Sequence, residues 1–192
     1  MLTGLLGYAA LAAAGGLYLK KRYPDRKRAR IAYVCASLAL MILGAVFYRP
    51  VRTNAGVWLM MPLLTTVAVE DAVARRVSNR ILIAMLALGV LSALVCAEEP
   101  LPRLIAPVAY GLIFILLSLA SKGGLGMGDA KLIAVLSAFY GLTGMFSALF
   151  AASLIECALS LMVLARTKNL RTELPFVPAI ELGAIIALFW MI

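Results

Sequence analysis

Long apolar runs separated by short charged interludes set the pattern of this chain. The runs occupy Leu2–Leu19, Ile31–Tyr48, Val57–Glu70, Ile81–Ala97, Leu104–Ser121, Lys131–Ala165 and Phe176–Ile192. A helix needs about 20 apolar residues, rising 1.5 Å each, to cross a bilayer. The Lys131–Ala165 run is 35 residues long, too much for one crossing. Gly141-Leu142-Thr143-Gly144 interrupts it. Glycine tolerates backbone angles that other residues avoid, so this stretch predicts two helices joined by a tight turn. The expected fold is therefore all-α, a polytopic transmembrane helix bundle of about eight helices. Its expected organisation is two N-terminal helices with a basic loop between them (1–56), then a six-helix core (57–192).

Composition agrees. The 192 residues are 64% hydrophobic with a mean hydropathy of +1.01, where a soluble domain is about half apolar. The run at 2–19 leads straight into Lys20-Lys21-Arg22 without an Ala-x-Ala cleavage pattern. It reads as a helix rather than a removable leader.

A net charge of +9 could suggest nucleic acid, but its distribution points elsewhere. If the segment after the first helix is cytoplasmic, fifteen of the eighteen Lys and Arg fall on that side, and Arg49, Arg52 and Arg103 fall on the other. That bias fits a multi-pass protein of the cytoplasmic (inner) membrane with both termini outside the cytoplasm. The basic loops would lie against anionic headgroups, which makes the lipid bilayer the expected partner and nucleic acid not one.

The chain has no His, the commonest metal ligand and usual general base. Cys35, Cys96 and Cys157 stand far apart inside apolar runs and are expected to be small core residues. No metal site and no cofactor are expected.

What remains for chemistry is acidic. Asp129 follows Gly123-Gly124-Leu125-Gly126-Met127-Gly128 and precedes an apolar run. Asp71 closes another apolar run, in Glu70-Asp71-Ala72-Val73-Ala74-Arg75-Arg76-Val77-Ser78-Asn79-Arg80. Ionisable groups at membrane depth are costly unless they are paired or face water. By the orientation above, both aspartates lie at the cytoplasmic side, at the ends of different helices. Two carboxylates a few ångströms apart cannot both ionise; they share a proton and titrate as a unit. One can then act as base on a water while the other donates to a carbonyl, which is aspartyl protease chemistry. Glu70, adjacent and chemically equivalent, is a rival for the role of Asp71.

The glycines would leave bare backbone beside Asp129, where an extended substrate could lie. Pro175 and Pro178, three apart in Leu174-Pro175-Phe176-Val177-Pro178, fix an extended segment before a last helix. That segment could line the same cleft. Glu156 and Glu181, within apolar runs, are expected to pair with an Arg or Lys of another helix. Helix dipoles would make Asp129, at a helix start, the base and Asp71, at a helix end, the acid.

Together these motifs resemble those of the type IV prepilin peptidases, the bacterial branch of the Gly-x-Gly-Asp aspartyl proteases. Members show an Asp followed by a basic stretch and Ile-Pro-Asn, matched by Asp71, Arg75, Arg76 and Val77-Ser78-Asn79. They show Gly-Gly-x-Gly-x-Gly-Asp-x-Lys-Leu, matched from Gly123 to Leu132. They show Pro-Phe-x-Pro before the final helix, matched by Pro175, Phe176 and Pro178. The resemblance spans about residues 65–190 and leaves the first two helices outside it.

The resemblance implies that Asp71 and Asp129 are the catalytic pair. It extends the substrate-binding set to Asn79, Gly126, Gly128, Lys131, Pro175, Phe176 and Pro178. The implied substrate is a prepilin or pseudopilin with a short basic leader before a long apolar helix, cut after a glycine at the cytoplasmic membrane face, in a pilus or secretion system. Glu70 or Glu173 could supply local attraction for the basic leader. Two departures stand out. Ser78 replaces the usual proline, which would relax the turn after Asp71. There are also no paired cysteines of the kind that the bifunctional members carry, so peptidase activity without N-methyltransferase activity is expected. The alternatives are a small ion- or proton-coupled transporter using Asp71, Asp129 and Glu156, and a catalytically silent assembly factor. Sequence gives no oligomeric state.

Overall fold

A computed structural model describes residues 2–47, 55–97, 99–121, 124–168 and 175–190. The described residues form seven helices and no strands: α1 (Leu2–Arg22), α2 (Lys27–Phe47), α3 (Ala55–Ala74), α4 (Asn79–Cys96), α5 (Pro100–Ala120), α6 (Met127–Thr167) and α7 (Val177–Trp190). The chain is an all-helical, polytopic bundle. α3, α5 and α6 are long and apolar enough to cross a membrane, and α4 and α7 are shorter apolar helices.

Apolar residues run round most of these helices, as suits a bundle whose outside is also apolar. Val57, Met60, Met61 and Leu64 of α3 pack with Leu132, Leu136 and Phe139 of α6 and Ile180 of α7. Ile83 and Leu94 of α4, Val108 and Leu112 of α5, and Phe146 and Phe150 of α6 face outward. α3 is central: it packs against α1, α2, α4 and α7, while α6 lies against α4, α5 and α7. α1 and α2 join the bundle through α3 and each other.

The break expected at Gly141 is present. Gly141 has φ 68°, ψ −167°, a non-helical conformation inside α6. A straight helix of 41 residues would be about 60 Å long. It would hold Tyr140 and Ala152 about 18 Å apart, yet both lie against Gly183-Ala184 of α7. The chain therefore turns back at Gly141, and α6 is two arms, giving eight rods among the described residues. Both arms meet α7. Tyr140, in the first, donates a hydrogen bond of 2.7 Å to the Ala184 carbonyl. In the second, Ala148 and Ala152 pack so closely on Gly183 that a side chain there would strike their backbone. Tyr110 of α5 donates to the Leu142 carbonyl just past the break, at 2.8 Å.

The cysteine expectation fails. Cys35 and Cys157 are exposed on the outer surface of the bundle. In a helix that is apolar all round, hydropathy does not distinguish the core face from the outer one. The side chain of Cys96 lies outside the described residues.

The conformation of Gly141 is open essentially to glycine alone, so Gly141→Ala is expected to lower stability by about 1–3 kcal/mol. Denaturant titration of the protein in detergent micelles checks this.

Candidate active site

Three helix ends meet where the aspartates lie. α3 runs to Ala74 and stops at Arg75, whose left-handed backbone (φ 50°) ends the helix as its N–H donates to the Asp71 carbonyl at 2.8 Å. Asp71 thus sits in the last turn of α3, 8% exposed. α6 begins after Gly126, which puts Asp129 in its first turn, half-buried. α7 begins at Val177, whose N–H donates to Asp71 Oδ2 at 3.3 Å. That amide is one of the orphan donors at a helix start, and a carboxylate satisfies it well. The Pro-Phe-x-Pro segment therefore touches Asp71 through its backbone.

Asp129 is drawn into the same site. Its carboxylate folds back over Gly126, where an added Cβ would lie 2.8 Å from Oδ2. Gly126 has ordinary angles (φ −62°, ψ 131°), so the residue is needed for room rather than for a special backbone. Gly128 serves the same end on its other side, since a Cβ there would lie 3.2 Å from the Val77 side chain. The start of α6 and the turn after α3 thus press together beside both carboxylates.

The loop leading to Asp129 is held by α5. Ser118 Oγ donates to the Leu125 carbonyl at 2.8 Å, and Ser121 Oγ accepts the Leu125 N–H at 3.1 Å. Neither serine carried a motif in the sequence; two hydroxyls three apart just before a glycine-rich loop are the signal that could have marked them.

The remaining candidates are placed less centrally. Asn79 opens α4 and is exposed, as are Lys131 and Gly126. Pro175, Phe176 and Pro178 are half-buried, with Phe176 packed against the core. Glu173 lies outside the described residues.

Two expectations about acids need correction. Glu70 is neither an open rival to Asp71 nor an open attractor for a basic segment. It is 3% exposed. Its Oε1 accepts hydrogen bonds from the Tyr18 and Tyr23 hydroxyls at 3.0 and 3.4 Å, and its Oε2 accepts the Ser78 N–H at 3.3 Å. Glu181 does not bond a cation in its described hydrogen bond; it accepts from the Thr65 hydroxyl. Glu156 has a buried Oε2 that accepts no hydrogen bond.

The turn after Asp71 is not relaxed by its serine. Ser78 holds φ −73°, within the range that proline imposes, and its carbonyl accepts the N–H groups of Ile81 and Leu82 to start α4.

The Tyr23–Glu70 contact leaves a measurable trace. Burial, and then the Glu70 charge, push the Tyr23 phenol above its ordinary value of 10. The raised value means that the contact contributes fully at neutral pH and is lost as pH climbs through the folded-state value. Glu70→Gln should move Tyr23 back toward 10, read by a pH titration of labelled tyrosine by NMR.

The sequence model of the Type IV leader peptidase family matches residues 58–161, just over half of the chain. Two relatives, each named a prepilin leader peptidase/N-methyltransferase, are similar to it. The Bacillus subtilis protein is 33% identical over 127 residues, covering 65% of this chain and 51% of its own length. The Xanthomonas campestris protein is 34% identical over 73 residues, covering 38% of this chain and 25% of its own. The chain thus spans about half the length of one of these relatives and a quarter of the other. No solved structure matches it significantly.

Proposed function

The chain belongs to the type IV leader peptidase family, and we propose that it is an aspartyl endopeptidase that removes the short leader of prepilins or pseudopilins at the cytoplasmic face of the membrane. What supports this reading is that Asp71, in the last turn of α3, and Asp129, in the first turn of α6, lie at one end of the bundle, where α7 offers the Val177 N–H and Gly128 packs on Val77 of the turn after α3.

In this reading the two carboxylates share one proton and hold a water between them. The ionised one takes a proton from the water as its oxygen attacks the scissile carbonyl carbon. The protonated one gives its proton to the carbonyl oxygen, and a neutral tetrahedral diol forms. Proton transfer to the amide nitrogen then lets the C–N bond break, leaving a carboxylic acid and an amine. The helix-dipole argument makes Asp129 the base. The Val177 N–H, which also favours charge on Asp71, works against that assignment. Glycine backbone at 126 and 128 and the extended segment at 175–178 would flank the substrate. Asn79 and Lys131, exposed at the same end, would meet it at the rim.

The orientation rests on charge. Tyr23 reaches Glu70, so the basic segment from Lys20 to Arg30 lies at the end that holds the aspartates. Arg75, Arg76 and Arg80 lie there too. An excess of Lys and Arg marks the cytoplasmic side.

Co-expression with a candidate prepilin, read as a gel shift, tests the reading. Asp71→Asn and Asp129→Asn should each drop cleavage to near background with the fold intact. Cleavage surviving in either variant would overturn the aspartyl mechanism. A wild-type chain that shifts no prepilin would favour the silent assembly factor instead. Gly126→Ala should displace the Asp129 carboxylate by a few tenths of an ångström or more. It is expected to lower the cleavage rate by about tenfold, since misplacement by 1 Å can cost about 100-fold. Single-turnover kinetics reads it out.

A further inference from the structure

Glu70 buries a carboxyl group where an apolar residue would fold more cheaply. A buried charge is tolerated when it is fully hydrogen-bonded, and Glu70 collects three donors from two separate parts of the chain. The Tyr18 hydroxyl comes from α1 and the Tyr23 hydroxyl from just beyond it. The Ser78 N–H comes from the turn between α3 and α4. The two tyrosines lie outside the region that the family model covers, residues 58–161.

We propose that Glu70 is a positioning residue that braces both aspartates of the site, tying the end of α1 to the end of α3 and to the turn that follows. This rests on the aspartyl reading above.

The brace has two arms. The first is the backbone of α3. Successive helical residues point about 100° apart. While Glu70 is held from the side of α1, Asp71 faces α7, where the Val177 N–H meets it at 3.3 Å. A carboxylate sits about 6 Å from the helix axis, so a 20° roll of the last turn would move it about 2 Å, enough to break that bond. α3 ends at Ala74, so its last turn has no further helix beyond it to hold its roll.

The second arm runs through the turn. Glu70 Oε2 fixes the Ser78 N–H, and Ser78 follows Val77. Val77 packs against Gly128, where even a methyl group would crowd it at 3.2 Å, and Gly128 precedes Asp129. A shift of the turn is thereby passed to the start of α6. One carboxylate sets the separation of the other two.

The test uses the full chain in detergent or membranes. Glu70→Ala removes both arms and should lower kcat by ten- to a hundredfold, with KM changed less than about threefold, since a shift of an ångström or two costs the alignment of the reacting groups more than it costs contact with the substrate. Glu70→Gln keeps an acceptor for Ser78 and can donate to the tyrosine oxygens, so it should retain at least half of kcat. The double variant Tyr18→Phe/Tyr23→Phe releases the α1 side alone and should fall between the two. Tyr33→Phe is the control. It loses a 2.9 Å bond to the Ala12 carbonyl between α2 and α1 and removes no donor from Glu70, so it should lose stability without losing kcat.

Hydrogen exchange gives a readout independent of cleavage. In Glu70→Ala the amides of Ser78 and Val177 should exchange at least tenfold faster than in the wild type. If Glu70→Ala folds with wild-type kcat, or if the Val177 amide keeps its protection, the brace does not exist. If Tyr33→Phe depresses kcat as much as the tyrosine double variant, the effect is general loosening and the proposal fails. If the wild-type chain cuts no prepilin, the functional reading fails, while the exchange measurement still decides the brace.

Discussion

One backbone conformation underlies the site. Gly141 takes angles that L side chains avoid, and the chain folds back on itself there. Without that reversal α6 would run on for about 60 Å, and α7 would begin at the far end from Asp71. With it, the second arm returns, α7 starts beside the end of α3, and the Val177 N–H finds a carboxylate. The close seating of Gly183 on Ala148 and Ala152 and the Tyr140 bond to Ala184 then lock α7 between the two arms. The meeting of three helix ends is thus a consequence of a single turn about 36 residues upstream of Val177.

The second organising fact is how acids survive in an apolar bundle. Asp71 and Glu70 each lie almost fully buried, side by side on α3, and the structure treats them differently. Glu70 is surrounded by donors from α1 and the following turn and has no room for a substrate. Asp71 accepts the Val177 N–H and lies at the same end of the bundle as Asp129. Adjacent positions on a helix point in different directions, so the same local sequence yields one structural acid and one available for chemistry.

Much of this was legible in the sequence. The 35-residue apolar run was too long for one crossing, and its glycines marked where it must break. The aspartates could be assigned to helix ends on one side of the bundle from the runs and the positive charges around them. Contacts between distant residues were not legible. Glu70 meets residues 52 and 47 positions away, and nothing in the local pattern around Tyr18 or Tyr23 announces that. Nor could hydropathy say which way the cysteines point, because the outside of the bundle is as apolar as its core. Glu181 was expected to find a cation; a threonine hydroxyl on α3 reaches it instead. A hydroxyl can satisfy a carboxylate without burying a second charge.

Ser78 shows how a local substitution can be offset at a distance. A proline there would fix φ through its ring and would have no N–H to give. Here φ is −73° without a ring, and the N–H goes to Glu70. A ring restrains the turn by removing freedom from the unfolded chain; a hydrogen bond restrains it by rewarding the folded one. The two solutions are mutually exclusive at this position. A proline at residue 78 would therefore take away one of Glu70's three donors and leave the carboxylate leaning on the two tyrosines alone.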